Sequence, residues 1–247
     1  MVAVRNGLAV SVAALVVLLA VLGTSTGLGA LPWGVGLACG LVMSWAVARG
    51  LSRSGADALG PADVVTLARA TVACGVAALV ADSFLGPPAV PALVSLAVGA
   101  LVLDAVDGRV ARSTRTSSVF GARFDGEADA FLILVLSVYV AHTVGSWVLV
   151  IGLARYAFAA AGWVLPWLQG DLPVRYWAKV VAASQGVVLT FAATDVAPHA
   201  VTYGALVLAL ALLVESFGWS VLWLWRHRST EPVEVAVLAG RSRLQLP

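Results

Sequence analysis

Eight runs of roughly 20 apolar residues, the length a helix needs to cross a bilayer, constrain this chain more than any other feature. They lie near 8–28, 31–49, 63–83, 88–107, 119–143, 147–167, 176–194 and 201–225, with Pro- and Gly-rich punctuation such as GALPWG, ALGPAD, LGPPAVP and QGDLP between them. A bilayer core leaves no water to satisfy backbone groups, so runs of this kind fold as helices. The expected fold class is therefore all-α: a polytopic integral membrane bundle of about eight transmembrane helices. With 247 residues spent on spans and short loops, no separate soluble domain fits.

Charge is scarce and placed unevenly. Only 11% of residues are charged, against 61% hydrophobic. Of the fifteen Lys and Arg, most fall in alternate connections: Arg5, then Arg49 and Arg53, then Arg109, Arg112, Arg115 and Arg123, then Arg175 and Lys179, then Arg226, Arg228, Arg241 and Arg243. The intervening loops near 22–30, 84–90, 144–146 and 195–200 carry none. This asymmetry predicts that both termini and the loop near residue 109 face the cytoplasm, in a multi-pass protein of the cell membrane. A cleaved signal peptide over the first 30 residues is the competing reading, but the uncleaved span fits the charge pattern without strain. Cys39 and Cys74 both sit in apolar runs and read as packing residues.

Against this background the stretch LDAVDGRVARSTRTSSVFGARFDGEAD, Leu103 to Asp129, is anomalous, because it gathers four aspartates. Asp104 and Asp107 are three apart and share a helical face, with Gly108 and Ala111 on or beside it. Gly121, Asp125 and Asp129 step by four and share another. An antiparallel hairpin would bring both pairs together at the membrane edge. Glu127 falls off that face and, at i,i+4 from Arg123, predicts an ordinary surface ion pair. An unpaired Asp at a bilayer centre costs about 2.5–3.5 kcal/mol, so four carboxylates need compensation. Arginines could supply it. Oxygen-only ligands suit Mg²⁺, Mn²⁺ or Ca²⁺ better, and metal-bridged phosphates are the common use of such a cluster.

The pattern Asp104-x2-Asp107-Gly108-x2-Ala111-Arg112-x8-Gly121-x3-Asp125-x3-Asp129 resembles the signature of the class I CDP-alcohol phosphotransferases (CDP-alcohol phosphatidyltransferases), with every position filled and every spacing kept. Upstream, GPADVVTLAR resembles the opening of that family's first core helix, with Pro61, Asp63, Thr66 and Arg69 in place. Downstream, RYWAKVVAASQG resembles a Lys-to-Gln spacing of phosphatidylglycerophosphate synthases in Lys179 and Gln185, although the second Lys and the Thr between them are missing.

The resemblance implies a six-span core over residues 60–228, preceded by two extra helices and a loop in 1–59 and followed by a loose tail in 229–247. It implies transfer of a phosphatidyl or similar substituted phosphate group from a CDP-linked lipid donor, CDP-diacylglycerol in the leading case, to an alcohol in phospholipid biosynthesis, with release of CMP. Carried over, Asp104, Asp107, Asp125 and Asp129 would hold two divalent ions, Mg²⁺ or Mn²⁺. Asp129 would be the catalytic base, and Gly108, Ala111, Arg112, Gly121, Asp63 and Thr66 would contact the CDP moiety. The implied partners are that donor, a small alcohol acceptor and membrane lipids, with no nucleic acid; a homodimer stays open.

For the acceptor the residues say less. Arg155 lies within a span, where a cation is a functional candidate by default. With Arg175 and Lys179 on the same side, it could bind a phosphorylated polyol such as glycerol 3-phosphate or inositol phosphate. The competing reading pairs Arg155 with Glu215 inside the bundle and leaves Arg175 and Lys179 as topology-setting charges. Arg69, also within a span, has the same ambiguity. A non-phosphorylated alcohol is the alternative acceptor, and an ion-coupled transporter is the rival class; against it, the acids gather at one membrane edge rather than at mid-depth.

Overall fold

A computed structural model describes residues 2–54, 60–114, 119–170, 172–173 and 175–228; within these, the side chains of residues 2–5, 54, 107, 110–114 and 119 fall outside the description. The expected tail at 229–247 lies outside the described residues. The described chain is helical throughout: α1 (Val2–Thr26), α2 (Ala30–Ser54), α3 (Pro61–Asp82), α4 (Val90–Thr114), α5 (Val119–Val144), α6 (Leu149–Val164), α7 (Tyr176–Ala193) and α8 (His199–His227). Short 3-10 turns at Ser146–Val148 and Pro166–Gln169 flank α6.

A helix stands at each of the eight apolar runs. Six of them, α1, α2, α3, α5, α6 and α8, are long and apolar enough to cross a membrane. In α4 the described apolar segment is Val90–Val106, and the aspartate motif follows in the C-terminal turns. In α7, Lys179, Ser184, Gln185 and Thr190 interrupt a helix of 18 residues.

The bundle is organised around α3. In its most apolar 18-residue window 72% of residues are buried, against 17–22% for α1, α2, α6 and α8. Its buried surface is built from small residues, among them Ala70, Ala73, Cys74, Ala77 and Ala78, which let neighbouring helices approach closely. Helices α1, α2, α4 and α5 pack on it; α5 in turn packs on α6 and α7, and α8 closes against α7. The outward surface is apolar, with Trp163, Val164, Leu208 and Val214 exposed, as expected where the surrounding solvent is lipid. Both cysteines are free.

Two local devices position the site. Gly60 precedes α3, Pro61 opens it, and the Asp63 side chain reaches back to accept the Gly60 N–H at 2.9 Å, so the start of α3 is fixed. Across the bundle, α5 and α6 touch backbone to side chain. A Cβ added at Gly152 would stand 2.7 Å from the Leu134 Cα and would also strike the Ser137 hydroxyl, so glycine is required for this crossing. One turn further along α6 comes Arg155.

Candidate active site

The N-terminal half of α3, the C-terminal half of α4 and the N-terminal half of α5 meet at one end of the bundle. Asp63, Thr66 and Arg69 follow one another at intervals of three along α3, and all three are buried. Among the described residues Arg69 is the largest fully buried side chain, 1% exposed. Of the described carboxylates, its guanidinium gathers three from two other helices. Nη1 pairs with Asp104 of α4, and with Asp129 of α5 at 3.2 Å. Nη2 pairs with Asp125 Oδ1 at 2.5 Å and also donates to the Asp125 carbonyl at 3.0 Å. The planar fork of arginine suits this task; a lysine would offer a single point charge.

A buried guanidinium unpaired in the bundle would be costly, and so would three converging carboxylates; each solves the other's problem. Arg69, an ambiguous mid-span charge in the sequence, is thereby the tie between three helices. The three aspartates remain partly exposed on their other sides. They present oxygens within 4.8 Å of one another. That is an all-oxygen, multiply charged donor set, which fits a hard divalent cation. A carboxylate has two oxygens, so a guanidinium on one does not preclude a cation on the other.

The remaining expected donor-side residues fall as follows. The side chains of Asp107, Ala111 and Arg112 lie outside the described residues, although the α4 backbone carries all three. Gly108 and Gly121 are partly buried on α4 and α5. Asp63 caps α3, and the Thr66 hydroxyl donates to the Ala62 carbonyl at 3.1 Å; both are one to two turns from Arg69.

On the far side of α5 from α3, a cavity of about 170 Å³ opens between α5, α6, α7 and α8, lined by Gly126, Asp129, Arg155 and Gln185 together with apolar residues. Asp129 therefore borders both the carboxylate cluster and this cavity. Arg155 reaches it from α6, lying flat along α5: a Cβ at Gly126 would meet its Nη2 at 3.1 Å and its Cζ at 3.5 Å. Nη2 also bonds Glu127 Oε1 at 2.8 Å. This corrects two expectations at once. Arg155 is not paired with Glu215, and Glu127 bonds across helices rather than acting as the local partner of Arg123. Glu215 instead accepts the Trp177 indole N–H at 2.9 Å and lies 3.8 Å from Arg175.

Arg175 stacks on the Trp219 ring at 3.8 Å, and Lys179 is exposed on the first turn of α7. Neither is among the residues lining the Asp129 cavity or the adjoining cavity of about 310 Å³ that shares Arg155. Gln185, singled out in the sequence by its spacing from Lys179, lines the Asp129 cavity. It is 1% exposed; its amide nitrogen donates to the Ala209 carbonyl at 3.0 Å, while its Oε1 is buried with no protein partner. A buried acceptor left unmet costs about 1–3 kcal/mol, so this oxygen at the cavity wall calls for a donor.

A bundle of membrane helices with a carboxylate cluster at one end, bordering a cavity lined by an arginine, fits phosphate chemistry at a membrane. The sequence profile of the CDP-alcohol phosphatidyltransferase family matches residues 59–217, and the chain belongs to that family. No curated protein and no solved structure matches it. Membership makes it a transferase that moves a phosphatidyl group from a CDP-alcohol to an alcohol, in a family that depends on divalent metal, and the Asp104, Asp125 and Asp129 cluster can hold such an ion.

Proposed function

We propose that the protein transfers a phosphatidyl group from a CDP-linked lipid, CDP-diacylglycerol in the leading case, to a phosphorylated polyol, releasing CMP in phospholipid biosynthesis. The observation that carries this reading is the position of Asp129, shared between the carboxylate cluster and a cavity that also contains Arg155. A donor pyrophosphate belongs at the cluster and an acceptor hydroxyl in the cavity, and among the described side chains Asp129 is the one that borders both.

Asp104, Asp107, Asp125 and Asp129 would hold two divalent ions, Mg²⁺ or Mn²⁺, which supply neutralisation of the pyrophosphate and of the charge on departing CMP. Arg69 holds Asp104, Asp125 and Asp129 in register, so the cluster is organised before any ligand arrives. Asp129 takes the proton of the acceptor hydroxyl as its oxygen attacks phosphorus. A base so placed contributes about 10²–10⁴-fold. Gly108, Ala111, Arg112, Gly121, Asp63 and Thr66 are the residues assigned to the CDP moiety. Arg155 binds the acceptor phosphate, and Gln185 Oε1 accepts a bond from a second acceptor hydroxyl. Arg175 and Lys179, on the same side of the bundle, guide the anion in without lining the cavity.

The core of this activity is residues 60–228, with 1–59 as an N-terminal addition whose helices α1 and α2 pack on α3. The distribution of Lys and Arg supports an active site on the cytoplasmic face of the cell membrane, with both termini on that side. A lipid donor fits this address, because its tails stay in the bilayer while its headgroup reaches the bundle's edge.

The test is to incubate the purified protein with labelled CDP-diacylglycerol, Mg²⁺ or Mn²⁺, and matched pairs of polyols with and without a phosphate, and to identify the lipid product by mass. The reading expects product with phosphorylated polyols. Product only with unphosphorylated alcohols would keep the chemistry and overturn the acceptor assignment.

A further inference from the structure

The Arg155–Glu127 pair raises a question that catalysis alone does not answer. If Arg155 exists to bind an anion, a carboxylate is already on it. Both side chains are about half exposed, at 47% and 54%. The contact is a single Nη2–Oε1 bond at 2.8 Å. The guanidinium is therefore held, but by a partner that solvent and ligand can reach. Gly126 adds the second constraint: with no side chain there, the guanidinium can lie against α5 between the cluster residues Asp125 and Asp129. Glu127 sits one residue from Gly126 and two from Asp129, and both of these line the cavity with Arg155.

We propose that Glu127 is a resident anion on Arg155, a positioning residue whose carboxylate an anionic acceptor group must displace. This rests on the reading of Arg155 as the acceptor-phosphate site. The physics of exchange then sets how strongly an incoming anion must bind. A neutral polyol brings nothing to replace the carboxylate and leaves the pair intact. A carboxylate-bearing alcohol trades one monoanion for another at little gain. A phosphate dianion carries more charge and three oxygens able to engage the fork of the guanidinium bidentately, so it wins the exchange. Glu127 is thus a positioning residue acting through Arg155. It holds the guanidinium beside the cavity while the site is empty and raises the threshold an anion must clear. Its removal should tighten anion binding rather than weaken it, opposite to the effect of losing a structural contact.

The experiment titrates inorganic phosphate into the purified full-length protein in detergent, with Mg²⁺ constant, and reads the dissociation constant by calorimetry, with a thermal melt to confirm folding. Four forms are compared: the parent, Glu127→Gln, Arg155→Gln and the double variant; Glu127→Ala serves as a second neutral replacement. The expected result is a tightening of about two- to fivefold in Glu127→Gln, the range of an exposed ion pair's contribution. Arg155→Gln should lose about tenfold or more, and the double variant should behave as Arg155→Gln. If both Glu127 variants fold and bind phosphate as weakly as the parent or more weakly, while Arg155→Gln loses it, Glu127 is structural and this inference fails alone. If Arg155→Gln binds phosphate as the parent does, or the parent binds none, the phosphate reading of Arg155 fails and the inference with it.

Discussion

The two sides of α5 handle charge differently. Toward α3 and α4, one buried arginine is shared among three aspartates in a fixed arrangement, 1% exposed at its centre. Toward α6 and α7, one half-exposed arginine meets one half-exposed glutamate beside an open cavity. The first ties α3, α4 and α5 together around a buried charge. The second is the contact we propose a ligand exchanges. Asp129 stands between them, and this is where a reacting group is needed: held by the rigid side, facing the adaptable one.

The largest effect should come from that shared residue. Asp129→Asn keeps the size of the side chain but removes the base, and turnover should fall about 10²-fold or more with donor binding largely kept. Steady-state kinetics of CMP release check this. An Asn variant with near-parent turnover would move the base elsewhere.

Arg69→Gln tests the rigid side. It leaves three carboxylates facing one another, and truncating one partner of a buried ionic network costs about 3–5 kcal/mol. The melting temperature should drop sharply in chelator. Added Mg²⁺ should then recover more of it than the small shift seen in the parent, because the ion would supply the missing positive charge. A variant as stable as the parent in chelator would show that Arg69 does not hold the cluster together.

Arg155→Ala tests the adaptable side. A lost charge-assisted contact raises the acceptor KM by about 10- to 100-fold, with the donor KM little changed and the fold intact, since the pair is half exposed. Glu215→Ala should leave the acceptor KM alone, because Glu215 serves Trp177 and Arg175. If the two substitutions behave alike, the two sides of α5 are not independent.

The rigid side was also the legible one. The spacing of Asp104, Asp125 and Asp129 encodes helical phase directly, so a clustered face could be read without a structure, and the eight apolar runs located the eight described α-helices. What the sequence did not show was who compensates the acids, since Arg69 lies 35 residues from Asp104 and 56 from Asp125. Long side chains choose partners by helix crossing, not by spacing. The same reason explains the misassignment on the other side. The i,i+4 rule sees only one helix and therefore pairs Glu127 with Arg123. The real partner is set by the register of α5 on α6, fixed by the close approach at Gly152, which carries no charge signal at all. The unmet oxygen of Gln185 is likewise a property of packing, visible only once α7 and α8 are placed.

The most direct test of the account is CMP release from CDP-diacylglycerol by the purified protein in the presence of a phosphorylated polyol, measured first in excess EDTA and then after Mg²⁺ or Mn²⁺ is restored. The aspartate cluster predicts no release in chelator and full recovery with either ion. CMP release undiminished by chelation, or absent with every CDP-linked donor and divalent ion supplied to folded protein, would contradict it.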